Sequence, residues 1–193
     1  MYDFIRAAAV VPKLIVGDTA ANTAEIIKRA KQAEDADIII FPELCVTGYT
    51  CADLFFQSEL QRSVKDSIKE IAAAGIRGIL LIGAPLVIGG QLYNCAVVIA
   101  DGKIYGIVPK TFIPTYNEFY EKRWFSSSED LLVPEISASE LGFDEDYSIP
   151  VGRDLIFNIN NAIKFGAEVC EDIWAPLSPG CFLALNGAEL IVN

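Results

Sequence analysis

An α/β layered domain built on a mixed sheet is the fold class this sequence predicts, and three patterns carry that expectation. The chain opens strand–helix–strand, with two apolar runs on either side of a segment of helical spacing. Three apolar runs then follow closely, joined by "GG" and "DG", dipeptides of tight hairpins. After an irregular stretch, further short apolar runs, a short helix and a last apolar run resume the sheet.

Each element is read from its residues. "FIRAAAVVPK" (4–13) reads as a buried first strand, and "TAANTAEIIKRAKQAED" (19–35) as a helix capped by Thr19 or Asn22. "ADIIIFPE" (36–43) is an apolar, β-branched run ended by proline, a second buried strand. "ADLFFQSELQRSVKDSIKEIAAAG" (52–75) carries Leu54, Leu60, Val64, Ile68 and Ile71 at helical spacing and closes on Gly75. "GILLIGAPLVI" (78–88), "LYNCAVVIA" (92–100) and "KIYGIVPK" (103–110) are three strands. Residues 111–150 break the pattern, and their aromatic content marks an active-site excursion instead of a disordered linker. "DLIFNI" and "AIKFGAEVC" resume the sheet about an "NN" turn, "SPGCFLALNGA" is a short helix, and "ELIVN" a final core strand. No repeat or low-complexity segment interrupts this order.

Composition bounds the function. The 193 residues are 52% hydrophobic, enough for one sizeable core. A net charge of −11 argues against nucleic acid or anionic membrane as a partner, since both require basic surface. No apolar run approaches the ~18 residues of a membrane span. The N-terminus carries Asp3 without a basic stretch, so no signal peptide is expected and the location expected is cytoplasmic. Five cysteines show no paired spacing, which argues against zinc or a redox dithiol. Cys45, Cys51, Cys95 and Cys181 are expected to be reduced and buried. Histidine is absent, so Ser-His-Asp and Cys-His catalysis are excluded within this chain. No glycine-rich phosphate cradle is present, and Gly17 and Gly83 read as turns.

Three residues share one context, the C-terminal end of an apolar strand, where open α/β sheets assemble their sites. Glu43 ends "IIIFPE", Lys110 ends "IVPK" and Cys170 ends "FGAEVC". Singly, each also reads as an ordinary solvated strand end or surface charge. Together they supply the base, the cation and the nucleophile that a histidine-free amide hydrolase needs.

"FPELCVTGYTCADLF", "PKTFIPTYNEFYEKRWF" and "EVCEDIW" resemble the three signature blocks of the nitrilase (carbon–nitrogen hydrolase) superfamily, in the family's order. Within it, "LYNCAVVIADGKIYGIVPKTFIPTYNEFYEKRWF" is most similar to the glutaminase domains of glutamine-dependent NAD synthetases. The resemblance implies an αββα sandwich and a Glu-Lys-Cys triad at Glu43, Lys110 and Cys170. It also implies a reaction in which Cys170 forms a γ-glutamyl thioester and ammonia leaves. A free thiol of pKa ~8.5 is only a few per cent thiolate at neutral pH, and the acids flanking Cys170 lower that fraction. Glu43 is therefore expected to take its proton, while Lys110 and the Glu171 backbone N–H face the oxyanion. By the same resemblance Tyr116 contacts substrate, Glu121 orients Lys110 or the amide, Tyr49 lines the pocket and Phe119 offers its backbone. Packing alone is the other reading of these aromatics. Asp172 and Trp174 are taken as capping and filling space after the elbow.

The function expected is glutamine hydrolysis feeding ammonia to an ATP-dependent amidation of nicotinic acid adenine dinucleotide. A stand-alone amidase for small ω-amides, or a non-catalytic regulatory module, are the alternatives. The domain expected is one carbon–nitrogen hydrolase unit over 1–193, without metal or cofactor of its own. ATP and Mg2+ belong to the synthetase domain, the expected partner, and a homo-oligomer is expected. The chain ends inside an apolar run, which reads as a C-terminally truncated fragment lacking residues that would complete the glutamine pocket. Glu43→Gln and Lys110→Ala are each expected to abolish turnover with the fold intact.

Overall fold

Two sheets lie face to face between helical layers in the structure, a computed structural model that describes residues 4–159 and 163–193. The first sheet has five strands in sequence order: β1 (Ala7–Ala9), β2 (Ile38–Ile40), β3 (Ile79–Ile88), β4 (Gln91–Ala100) and β5 (Lys103–Pro109). It is mixed, with β1, β2 and β3 parallel and β3, β4 and β5 antiparallel. The "GG" and "DG" hairpins are as the sequence predicts. Gly89, Gly90, Asp101 and Gly102 all take positive φ, the backbone that matches a tight turn to strand twist.

Alternation along the strands sorts side chains between two cores. Leu80, Ile82, Ala84, Leu86 and Ile88 of β3 face α1 (Thr19–Gln32) and α2 (Ser58–Ala73), meeting Ile26, Ala30, Val64, Ile68 and Ile71. Leu81, Val98 and Val108 face the other way, onto Ile159, Phe165, Ala167 and Val192 of the second sheet. The excursion contributes a two-stranded hairpin, β6 (Glu135–Ser137) and β7 (Ser148–Pro150). The second sheet then runs β10 (Leu190–Val192), β9 (Ile163–Ala167), β8 (Ile156–Ile159). Its outer face carries α3 (Pro179–Leu185), whose Leu183 packs so closely on Gly166 that a Cβ there would lie 2.7 Å from a leucine methyl. The order is helix, sheet, sheet, helix, the expected αββα sandwich.

The structure corrects several expectations. The first strand spans three residues at a sheet edge and is not buried; Phe4 and Val11 lie largely in solvent. Asp18, not Thr19 or Asn22, caps α1 by accepting from the Ala21 N–H at 3.0 Å. Asn22 is buried and joins Ile15 to the Val46 carbonyl. The helix predicted from 52 divides into a 3-10 turn (Ala52–Phe56) and α2, which leaves Leu54 exposed. Only the first half of the excursion approaches the site. Ile136, Ala138, Leu141 and Ile149 of the second half extend the helical layer over the first sheet. β10 lies at a sheet edge, although Val192 is buried. Cys181 is exposed on α3, unlike buried Cys45, Cys51 and Cys95. Trp174 fills no space, being 78% exposed. The predicted "NN" turn lies outside the described residues. Among the described residues no helix is long and apolar enough to cross a membrane.

Candidate active site

Strand ends from both sheets converge on one point. Glu43 follows β2 by three residues, in a turn where Leu44 takes a left-handed φ of 52°. This turn lies directly across β3 at Gly83. A Cβ there would fall 2.2 Å from the Leu44 nitrogen and 2.5 Å from the Pro42 oxygen. The Val46 N–H donates to the Gly83 carbonyl at 3.1 Å, fastening the turn to the strand. Gly83 is thus mid-strand, where its missing side chain admits the backbone that carries Glu43, and the reading of it as a turn is corrected.

Lys110 is the first residue after β5 and is fully buried. Its N–H donates to the Asn94 carbonyl of β4 at 2.8 Å, and its Nζ donates to Glu43 Oε1 at 2.7 Å. The same ammonium reaches both oxygens of Glu121, at 2.9 and 3.0 Å. Glu121 opens a short 3-10 turn and also accepts from the Tyr49 hydroxyl at 2.7 Å. An ammonium between two carboxylates, one of them wholly buried, is costly to desolvate, and here Asn94 and Tyr49 add further donors to those carboxylates.

Cys170 follows the Glu168–Val169 extension of β9 and takes a left-handed φ of 46°, then opens the 3-10 turn Cys170–Trp174. A non-glycine residue in that region is strained by about 1–3 kcal/mol, and here the kink turns the thiol out of the sheet. The thiol is exposed and lines the same small cavity as Glu43. Asp172, read from sequence as a cap, does more. Its buried carboxylate accepts from the N–H groups of Phe112 (2.7 Å), Thr111 (3.0 Å) and Val169 (3.0 Å). One side chain thereby ties the segment after Lys110 to the segment before Cys170.

Glu43, Lys110, Cys170, Glu121 and Tyr49 are brought together. Tyr116 and Phe119 are set apart from them. The Tyr116 hydroxyl donates to Glu171 Oε1 at 2.6 Å, and the Phe119 N–H is taken by the Tyr116 carbonyl at 2.9 Å. Tyr116 and Glu171 line an open cavity of about 800 Å3 that none of Glu43, Lys110 and Cys170 lines. Glu43 and Cys170 line a smaller one, about 240 Å3, between the two sheets with Phe41, Gly83, Cys95 and Val169. Of the two, only the smaller cavity is lined by both Glu43 and Cys170. Sequence reading passed over Asn94, whose Nδ2 donates to Glu43 Oε1 at 2.6 Å. Its signal was an amide inside the otherwise apolar "LYNCAVVIA".

The carbon–nitrogen hydrolase profile matches residues 10–193. The chain belongs to the carbon–nitrogen hydrolase family. A glutamine-dependent NAD(+) synthetase of Mycobacterium leprae is 35% identical over 98% of this chain, which spans 28% of that protein. The structure of a glutamine-dependent NAD(+) synthetase from Cytophaga hutchinsonii superposes with a TM-score of 0.78 at 28% identity, covering 98% of this chain and 30% of that one. An amidase of the nitrilase superfamily from Nesterenkonia superposes with a TM-score of 0.71 at 18% identity, over all of this chain and 65% of its own; it shares the fold.

The electrostatics of this carbon–nitrogen hydrolase site follow from burial and charge. Burial and the neighbouring Glu43 carboxylate push the Cys170 thiol up to about 11, and the Lys110 ammonium only partly offsets them. Resting thiolate is therefore scarce at neutral pH, and attack by sulfur requires a base in the same step. Burial pulls the Lys110 ammonium down, but Glu43 and Glu121 outweigh it and hold it above its ordinary value, so it stays charged. Burial raises Glu121, with Lys110 opposing. Burial and the Glu121 bond push the Tyr49 phenol well above its usual range, so it remains a donor. Burial lifts Asp172 to about 6 against its three N–H donors.

A sign-specific test follows. The thiolate absorbance of the parent minus Cys170→Ala should titrate well above the ordinary thiol range. Glu43→Gln removes a negative neighbour and should move it down. Lys110→Met removes the opposing positive one and should move it up. A titration at or below ~8.5 in the parent would contradict the geometry described.

Proposed function

We propose that this chain is a glutamine amidohydrolase unit, supplying ammonia to an ATP-dependent amidation carried out by a longer protein. The observation that carries the reading is the buried Lys110 ammonium, bonded to Glu43 at 2.7 Å, with the Cys170 thiol on a left-handed kink facing the same cavity as Glu43. In a chain without histidine this supplies base, cation and nucleophile together.

In the proposed reaction Glu43 takes the Cys170 proton as sulfur bonds to the amide carbon. Lys110 Nζ and the Glu171 N–H face the resulting oxyanion. Collapse breaks the carbon–nitrogen bond, the proton passes to the leaving nitrogen, and ammonia departs from a thioester. Water, giving its proton to Glu43, then releases glutamate and restores the thiol. Glu121, steadied by the Tyr49 hydroxyl, holds the ammonium in place, while Tyr116 and Phe119 lie outside the cavity that Glu43 and Cys170 line. Glutamine as substrate is supported by glutamine-dependent NAD(+) synthetases at 34–35% identity, and nicotinic acid adenine dinucleotide is the ammonia acceptor assigned in this reading. The reading places the protein in the cytoplasm as a homo-oligomer, with ATP and Mg2+ bound by the synthetase part and no cofactor in this unit.

A diazoketone analogue of glutamine should alkylate Cys170 alone. Cys45 and Cys95 are buried and their thiols are pushed far up by burial; Cys51 is also buried. Cys181 is exposed, but its Sγ accepts from the Ser178 hydroxyl at 3.6 Å, and no carboxylate base bonds it among the described residues. Intact mass and peptide mapping should show one adduct on the peptide carrying Cys170, blocked by excess glutamine. An adduct on Cys181 or Cys51, or none on Cys170, would remove the assignment.

A further inference from the structure

We propose that Asn94 is a positioning residue for Glu43, fixing its carboxylate so that Oε2 is the oxygen left for the Cys170 thiol. This deepens the reading above and rests on Glu43 acting as the base. Glu43 Oε1 receives two donors, Asn94 Nδ2 at 2.6 Å and Lys110 Nζ at 2.7 Å. Lys110 alone would leave the carboxylate free to rotate about its last bond, because one ammonium is a point charge without directional preference. Two donors from different strands on a single oxygen remove that freedom. The 2.6 Å contact is as short as a charge-assisted bond to a carboxylate becomes.

The remainder of the side chain shows what it is not for. Asn94 is fully buried in β4, and its Oδ1 is buried without a hydrogen-bond partner among the described residues. Ala96 and Val98, on the same face of the strand, are apolar and pack between the sheets. An apolar residue at 94 would suit that core better, since an unsatisfied buried acceptor is destabilising. The opposite amide orientation would set Oδ1 against the carboxylate, acceptor against acceptor, so the bond to Glu43 dictates how the amide sits. The bond from the Lys110 N–H goes to the Asn94 carbonyl, which any substitution retains. A side-chain change therefore isolates the hold on Glu43.

Asn94→Leu keeps the branched outline and heavy-atom count of the side chain and removes both the donor and the orphan acceptor. In the full-length protein, ammonia release from glutamine should fall about 10- to 100-fold in kcat, with KM changed by less than about threefold. The melting temperature should stay level or rise, the opposite of what a packing role demands. A crystal structure of the variant should show Glu43 rotated or in two conformers. Should leucine crowd the core, the smaller Asn94→Val removes the same donor and acceptor and serves the comparison. Glu43 unmoved with kcat within about threefold of the parent overturns the proposal. So does a variant whose loss of rate tracks a lowered melting temperature and a raised KM. A rotated Glu43 in a protein whose parent releases no ammonia from glutamine upholds the positioning and removes the glutaminase reading instead.

Discussion

Lys110→Met should lower ammonia release on the order of 10³-fold and also cost the fold about 3–5 kcal/mol. The sequence predicts the first effect with an intact fold; the structure alters the second. Lys110 is fully buried, and its ammonium is bonded to Glu43 and to both oxygens of Glu121. Removing it leaves two carboxylates facing each other with no cation between them, the case in which breaking a buried pair is expensive. Glu43→Gln differs. It leaves Lys110 paired with Glu121, so stability should change little while the rate falls by about 10²–10⁴, the range assigned to a general base. The contrast is testable by urea denaturation beside steady-state kinetics. A second change sharpens it: Glu121→Gln in the Lys110→Met background removes one of the opposed charges. It should recover stability without recovering rate. A Lys110→Met protein that retains a rate within tenfold of the parent would take the ammonium out of the mechanism.

What could be read from sequence depended on whether the cause was local. β3, β4 and β5 were legible nearly to the residue because "GG" and "DG" carry their own backbone demand. Glu43, Lys110 and Cys170 were legible because polar residues at the ends of apolar strands stand out against their runs. Long-range causes were not. Whether "FIRAAAVVPK" is buried depends on sheet order, and β1 lies at an edge. Leu54 matches the helical spacing of α2, yet the 3-10 turn before Gln57 rotates it into solvent. Asp172 reads as a cap because two of its N–H partners, Thr111 and Phe112, lie about 60 residues away in sequence. Tyr116 shares a stretch with Glu121 but lines a different cavity from Glu43 and Cys170, since the chain reverses and closes with the Glu121 N–H on the Pro114 carbonyl.

Gly83→Ala should cost about 3 kcal/mol of stability and at least ~10²-fold in rate, although the methyl touches no substrate. Gly83 has no left-handed φ, so backbone strain is not the reason. Its added Cβ would lie 2.2 Å from the Leu44 nitrogen, 2.5 Å from the Pro42 oxygen and 2.7 Å from the Glu43 carbonyl carbon. All three are backbone atoms and none can swing aside as a side chain tip does. The turn must lift off β3 by about an ångström to reach ordinary contact, and Glu43 moves with it. That displacement separates Glu43 from Lys110, now 2.7 Å away, and from the thiol on the facing sheet. Leu44 already holds a left-handed backbone, so the turn has little freedom left to absorb the push. Gly75→Ala is the control. It sits at a positive φ with nothing within 4 Å, so it should cost only ~1 kcal/mol of backbone strain and no activity. Urea denaturation and ammonia release on the two variants separate crowding from strain. If Gly83→Ala kept the parent's rate, the approach of this turn to β3 would not be what sets the base against the nucleophile.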